Sequence, residues 1–245
     1  MLVSIVIPVY NSKALLLETL RSIAEQDLID VEVIIVDGGS TDGVESIFND
    51  FESVITSVLS EKDSGIYDAM NKGIKLSNGE FVYFIGAGDT LVKGVLQKVK
   101  KLLLSNKGCF IYGNVLRTST SKLYDGGFNK FKILRKNICH QAIFYPKSFF
   151  NKQEFNVKYK VLADYHMNLL AFGCNDLRKI YVNLTIAIYD DGAVGFSKVH
   201  TDTNFINDID LIINSNSSMG FRNYYLILKV LRKLKKTFFG FLYGK

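Results

Sequence analysis

Hydrophobic and polar positions in the first ninety residues follow two alternating periods. "VSIVIPVY", "VEVIIVDGG", "SVITSVLS" and "EFVYFIGA" are short apolar, β-branched runs bounded by turn residues. Runs of this length predict strands, buried ones in "VEVIIVDGG" and "EFVYFIGA". Helically spaced segments lie between them. "SKALLLETLRSIAEQ" sets Leu16, Leu20 and Ile23 on one face, with Ser12 as the predicted N-cap. "STDGVESIFNDF" predicts a helix entered through Ser40–Asp42, and "GIYDAMNKGIKL" a short helix. Strands alternating with helices predict an α/β fold: a mostly parallel central sheet flanked by helices, joined by right-handed crossovers.

Beyond Asp89 the pattern loosens. "VLQKVKKLLL" is helical, "CFIYGNVLRT" and "SKLYDGG" predict strands near an edge, residues 126–140 read as loop, and "HQAIFYP" is another strand. "LADYHMNLLAFG" is helical, "DLRKIYVNLTIAIYDD" extended, and "SKVHTDTNFINDIDLII" helical again. The predicted organisation is one domain over 1–215, with a nucleotide-binding half (1–90) and an acceptor-side half (91–215). A basic amphipathic C-terminal helix over 216–245 follows.

With 48% hydrophobic and 22% charged residues, the 245-residue chain can form a substantial core. Cys109, Cys139 and Cys174 are scattered, match no zinc spacing and predict reduced thiols in a cytoplasmic setting. "MLVSIVIPVYNS" lacks the basic start of a secretory signal, and no run reaches the ~18 apolar residues of a membrane span. Net charge changes the picture more. From Arg222 onward there are seven cations and no acidic residue, so the +6 total leaves −1 for residues 1–221. A near-neutral body argues against nucleic acid as a partner. The tail interleaves Leu226, Leu228, Val230, Leu231, Leu234 and Phe238 with lysine and arginine, a composition suited to an anionic bilayer surface.

Candidate chemistry collects at strand ends. "FVYFIGAGDTL" runs an apolar strand into softened backbone and one carboxylate, Asp89. Asp37 closes the second strand, Asp63 follows the third, and Pro8, Val9, Tyr10 and Asn11 end the first. Ligands of open α/β sheets bind at the carboxyl ends of strands. No G-x-G-x-x-G follows the first strand, and no G-x-x-x-x-G-K-[ST] occurs. Phosphates then need another counter-charge. Mg²⁺ or Mn²⁺ held by one carboxylate would supply it, since Mg²⁺ uses one or two protein carboxylates and completes its shell with phosphate and water.

"SIVIPVYN", "VEVIIVDGGSTDG", "SGIYDAMNKGI", "GEFVYFIGAGDTL" and "LADYHMNLL" together resemble glycosyltransferase family 2, in the type that builds bacterial O-antigen, capsule or exopolysaccharide. The resemblance is strong over about 1–95 and looser over 138–200. It implies the Rossmann-like GT-A fold and an inverting sugar transferase. The donor would be a nucleotide-diphospho-sugar, with UDP the expected nucleotide. The acceptor would be a glycan or a polyprenyl-diphosphate-linked one. By position, Pro8, Val9, Tyr10, Asp37, Asp63, Asn71 and Lys72 would serve the nucleotide, Asp89 the divalent metal, and Asp164 in "ADY" the proton of the acceptor hydroxyl. Two departures stand out. Ala87 and Gly88 replace the earlier acidic residues of the metal motif, and Met70 stands where relatives place arginine before "N-x-G".

His140 and Gln141 in "CHQAIFY", and His200 in "GFSKVH", are candidate sugar or acceptor contacts; His166 reads as packing, and Asp190–Asp191 as a turn. A lipid-linked acceptor and the basic tail together predict peripheral association with the inner face of the cytoplasmic membrane. The competing functions are a nucleotidyltransferase, which would want a glycine-rich basic loop after the first strand, and a non-catalytic nucleotide-sugar-binding subunit, motivated by the thinned metal motif.

Overall fold

A computed structural model describes residues 1–192 and 201–243. In chain order the elements are β1 (Val3–Val9), α1 (Lys13–Ala24), β2 (Val31–Asp37), α2 (Glu45–Asp50), β3 (Ser57–Ser60), α3 (Ile66–Leu76) and β4 (Phe81–Phe84). There follow β5 (Thr90–Leu91), α4 (Val95–Ser105), β6 (Phe110–Arg117), β7 (Lys122–Tyr124), α5 (Lys130–Ile133), β8 (Ile143–Pro146), α6 (Ala163–Gly173) and β9 (Lys179–Tyr189). The chain then forms α7 (Thr203–Asn216) and α8 (Met219–Tyr243).

One nine-stranded sheet runs β3-β2-β1-β4-β8-β6-β9-β5, with β7 added on β6. The β3-β2-β1-β4 quartet is parallel throughout, as is β6 with β9; β8, β5 and β7 pair antiparallel. The expected parallel pairing therefore holds in the first half of the chain. The expectation that both "CFIYGNVLRT" and "SKLYDGG" lie near an edge is corrected for the first. β6 is interior, between β8 and β9, and only β7 is peripheral. Its apolar stretch Phe110–Tyr112 is buried on both faces, as an interior strand requires. Two boundaries also shift. The third strand shortens to Ser57–Ser60, and His140–Ala142 of "HQAIFYP" form a 3₁₀ turn before β8.

Side-chain alternation along the strands feeds two cores. Val6, Ile34, Val36, Val82 and Phe84 face α3, α6 and α8. Ile5, Ile7, Val33, Ile35 and Tyr83 face Leu16, Leu20 and Ile23 of α1 and Val95 and Val99 of α4. Seating α3 on β1 depends on Gly73, where a Cβ would stand 2.2 Å from Val6 Cγ1. At the amino ends of the strands, buried Glu32 accepts from Ser4 Oγ (2.5 Å), the Asn78 amide (2.5 Å), Asn78 Nδ2 (3.2 Å) and the Gly79 amide (3.2 Å). Burial pushes its carboxyl up, and these four donors outweigh burial to leave it below the usual range.

Ser12 occupies the N-cap of α1 without capping it. Its hydroxyl donates to Tyr10 O (2.9 Å), while Asp42 Oδ2 accepts the Lys13 amide (2.8 Å). The C-terminal helix serves two ends at once. Phe221, Tyr225 and Leu228 enter the core, whereas Leu226, Ile227, Val230 and Leu231 on its other side are each more than half exposed. Leu234 and Phe238 lie outside the described side chains. No helix among the described residues is long and apolar enough to cross a membrane.

Candidate active site

The carboxyl ends of β1, β2 and β4 open on one rim. Asp37 is the last residue of β2, in register with Val9. Fully buried, it accepts the Ser40 amide (3.0 Å) and hydroxyl (2.5 Å) on Oδ1 and the Ser60 hydroxyl (2.5 Å) on Oδ2. Burial pushes this carboxyl up, and the Ser40 and Ser60 donors outweigh it, holding the group below its ordinary range. Asp63 lies against the backbone next to it. A Cβ on residue 38 would be 2.5 Å from Asp63 Oδ2, so any larger residue there would push the Asp63 carboxylate from this position. Ser40 Oγ also accepts the Asn11 amide (2.8 Å), and Asn11 Oδ1 accepts the Thr41 amide (2.8 Å). The β1–α1 loop is thereby tied to the loop after β2. It leaves Tyr10 62% exposed, an aromatic face at the rim, next to buried Pro8 and Val9.

The same α1 segment grips the second acidic loop. Thr19 Oγ1 donates to Asp89 O (2.8 Å) and accepts the Gly88 amide (3.0 Å), and Leu15 O accepts the Gly88 amide as well (3.2 Å). Asp89 is 6% exposed. Its Oδ2 accepts Gln141 Nε2 (2.6 Å), and its Oδ1 accepts the Asp190 amide (3.0 Å). Burial raises this carboxyl above its ordinary range; the Gln141 bond and the nearby His140 oppose that rise.

Asp164 lies in the first turn of α6 and does not cap it. Leu162 holds the cap position, and the amides of Val161 and Leu162 donate to Asp202 Oδ2 (2.9 and 3.1 Å). Asp164 Oδ1 accepts the Tyr165 amide (2.7 Å) and lies 3.3 Å from the Tyr67 hydroxyl; Oδ2 accepts Asn137 Nδ2 (3.1 Å) and stands 3.5 Å from His140 Nδ1. The 3₁₀ turn His140–Ala142 therefore addresses both carboxylates, Gln141 reaching Asp89 and His140 reaching Asp164. Tyr83 Oη pins the turn through Gln141 O (2.8 Å). His140 Nε2 is buried and has no hydrogen-bond partner among the described residues. Burial holds the neighbouring Cys139 thiol up at about 12, so it stays neutral.

Other expected residues are placed differently. Asn71 is spent on structure: Nδ2 donates to Phe155 O (2.8 Å) and Oδ1 accepts the Phe155 amide (2.9 Å). Lys72 donates to Lys62 O (2.8 Å) and pairs with Glu61 (2.9 Å), ordering the loop that carries Asp63. His166 packs on Tyr159 (5.2 Å between ring centroids), and burial lowers it to about 4. His200 lies outside the described residues. The Asp190–Asp191 turn does more than reverse the chain. Besides the Asp190 amide on Asp89, buried Asp191 accepts Arg117 Nε (2.6 Å) and the Ser119 amide (2.8 Å) and hydroxyl (2.6 Å). Sequence reasoning did not single out Thr19, Tyr67 or Asn137. Only Thr19 carried a signal, a hydroxyl within the apolar stripe of Leu16, Leu20 and Ile23.

A divalent ion fits this donor set in one way. Among the described residues no three His, Cys, Asp or Glu side chains converge on one point. Asp89, however, keeps acceptor capacity beyond the Gln141 and Asp190 bonds found among the described residues, a carboxylate having roughly four acceptor sites. Its burial also disfavours the charged form, which a cation alongside would restore. That suits an ion whose other ligands are phosphate and water.

A family model described as Glycosyl transferase family 2 matches residues 4–172. A PGL/p-HBAD biosynthesis glycosyltransferase of Mycobacterium bovis is 34% identical over 241 residues, covering 96% of this chain and 91% of its own. Among solved structures, S. aureus TarS 1-349 in complex with UDP-GlcNAc superposes with a TM-score of 0.77 at 18% identity, over 92% of this chain and 72% of that one. Against a longer TarS chain the coverage is 41% of its length. The mannosyltransferase PcManGT from Pyrobaculum calidifontis, in complex with GDP-Man and Mn²⁺, gives 0.63 at 18% identity, over 79% of this chain and 58% of its own. At these identities the structural likeness shows the fold.

Proposed function

The chain belongs to glycosyl transferase family 2 and has the GT-A fold, and on that premise we propose that it inverts the anomeric centre of a nucleotide-diphospho-sugar as it passes the sugar to a lipid-linked glycan acceptor. The observation that carries this reading is the single 3₁₀ turn engaging Asp89 through Gln141 and Asp164 through His140. It couples a carboxylate suited to the donor's diphosphate side with one suited to the acceptor's proton. Asp164 takes the proton from the acceptor hydroxyl as that oxygen attacks C1 and the bond to the nucleoside diphosphate breaks. Such a base is worth about 10²–10⁴ in rate. The Tyr165 amide, Asn137 and Tyr67 fix the direction of its lone pairs. Bound at Asp89, Mn²⁺ or Mg²⁺ would supply Lewis-acid stabilisation of the departing diphosphate. Tyr10 presents its ring to the base, with Pro8, Val9, Asp37 and Asp63 shaping the nucleotide's seat. Asn71 and Lys72 support that seat from behind, and His140 Nε2, with Gln141 beside it, offers a sugar or acceptor hydroxyl a partner.

UDP is the nucleotide proposed. TarS 1-349 crystallised with UDP-GlcNAc supports it, while the GDP-Man complex of PcManGT makes GDP the comparison to run. The exposed apolar side of α8 and its cations suit the anionic inner leaflet of the cytoplasmic membrane, where a polyprenyl-diphosphate-linked acceptor would be met. Polysaccharide synthesis is the process proposed.

The test is nucleotide release on mixing donor sugar, acceptor and Mn²⁺. Asp164→Asn is expected to cut turnover by about 10²–10⁴ with the circular dichroism spectrum unchanged. Turnover at the parent rate in Asp164→Asn would refute the assignment. A thermal-shift comparison of UDP- and GDP-sugars identifies the nucleotide, because a ligand bound only by the folded chain raises its melting temperature.

A further inference from the structure

Cations absent from the mechanism above cluster on the segment just ahead of the His140 turn. "FNKFKILRKN", residues 128–137, holds Lys130, Lys132, Arg135 and Lys136 and no acidic residue, in a body of net charge −1. Phe131, Lys132, Arg135 and Lys136 line a concavity of about 300 Å³. Asp125 is shared by Lys132 (3.6 Å) and Lys136, and no ion pair of Arg135 is found among the described residues. Three cations facing one carboxylate leave two positive charges around the hollow. Each cation is braced on a ring: Lys132 on Phe128 (4.2 Å to the centroid), Lys136 on Tyr124 (4.1 Å) and Arg135 on Phe131 (5.5 Å). Such contacts hold long side chains in place without neutralising them.

The segment is also wired to the proposed base. Asn137, directly after Lys136, donates to Asp164 Oδ2, and Tyr165 Oη donates to Ile133 O (2.7 Å). On its other side Lys130 reaches Ser218 Oγ (3.5 Å), just before α8 with its exposed apolar side. A guanidinium grips phosphate oxygens in bidentate fashion, with lysines adding point charge. We infer that the Phe131–Lys132–Arg135–Lys136 hollow binds the diphosphate of the lipid-linked acceptor, between the apolar side of α8 and Asp164. This rests on the acceptor proposed above and adds where its anionic group is held.

Vesicle flotation tests it, with the full chain on phosphatidylcholine vesicles doped either with polyprenyl diphosphate or with phosphatidylglycerol at matched charge. The parent is expected to prefer the diphosphate vesicles. A Lys132→Gln/Arg135→Gln variant should bind them about tenfold more weakly, a 1.4 kcal/mol loss, with a clearly smaller loss on phosphatidylglycerol. Arg135→Lys alone, which keeps the charge, should lose less. Parent-level binding of the double variant to diphosphate vesicles would overturn the site and leave the acceptor reading standing. An equal loss on both vesicle types would overturn it in favour of bulk attraction to anionic lipid. A parent with no preference for diphosphate, but transferring sugar to a soluble glycan, would remove the lipid-linked acceptor and this site together.

Discussion

Gly73→Ala probes how α3 is seated on β1. Inside a helix this change ordinarily stabilises by about 0.5–1 kcal/mol, because alanine has less backbone freedom to lose on folding. Here the new Cβ would stand 2.2 Å from Val6 Cγ1 and 3.1 Å from Cγ2, far inside the ~3.5–4.0 Å of a favourable carbon contact. Val6 is fully buried and paired on both sides, with Ile34 and Phe84, so the strand has nowhere to retreat. Forced overpacking of this kind costs about 1–3 kcal/mol, which exceeds the helical gain. Urea unfolding followed by far-UV circular dichroism should show a lower midpoint at unchanged m-value. In a Val6→Ala background the two methyl groups are gone and only the Cβ of residue 6 stays close, at 3.2 Å, so Gly73→Ala should cost at least about 1 kcal/mol less there than in the parent. Equal destabilisation in both backgrounds, or stabilisation of the parent, would refute the packing account of the "N-x-G" element.

Tyr67→Phe removes a hydroxyl that lies 2.7 Å from Val161 O and 3.3 Å from Asp164; it should cost about 0.5–1.5 kcal/mol of stability and lower kcat more than it changes the donor KM. Glu32, Asp37 and Asp191 are all held below the usual carboxylate range by hydrogen bonds that outweigh burial. Groups with lowered folded pKa stabilise above the unfolded value and lose that contribution as pH falls through the folded one. Melting temperature should therefore drop as pH falls below about 4, and Ser60→Ala, which removes one Asp37 donor, should flatten the drop. Replacing exposed Leu226, Ile227, Val230 and Leu231 of α8 by serine should abolish binding to anionic vesicles and leave the melting temperature within about 2 °C of the parent, as expected of surface changes.

Periodicity carried most of the fold. Each strand of the parallel quartet and each helix of the first half is a local pattern, and right-handed crossovers leave few ways to assemble them. Interior placement of β6 was not legible, because a short apolar run reads alike whether it is flanked on one side or two. Strand-end logic located Asp37, Asp63 and Asp89. It could not tell that Asp37 would be closed in by Ser40 and Ser60, since that depends on a side chain 23 residues away. The surroundings of Asp164 were less visible still. Tyr67 is 97 residues from it in sequence and Asn137 is 27, and no local pattern encodes such meetings. Asn71 shows a motif residue whose neighbours decide its use: its amide is saturated by the Phe155 backbone.

Glu32 and its four donors sit at the opposite tips of the strands that deliver Asp37 and the Asp89 loop. Fastening and the proposed chemistry thus occupy different ends of the same strands. A change at the Glu32 knot can therefore make the molecule tougher or more yielding a full strand length away from the proposed catalytic rim.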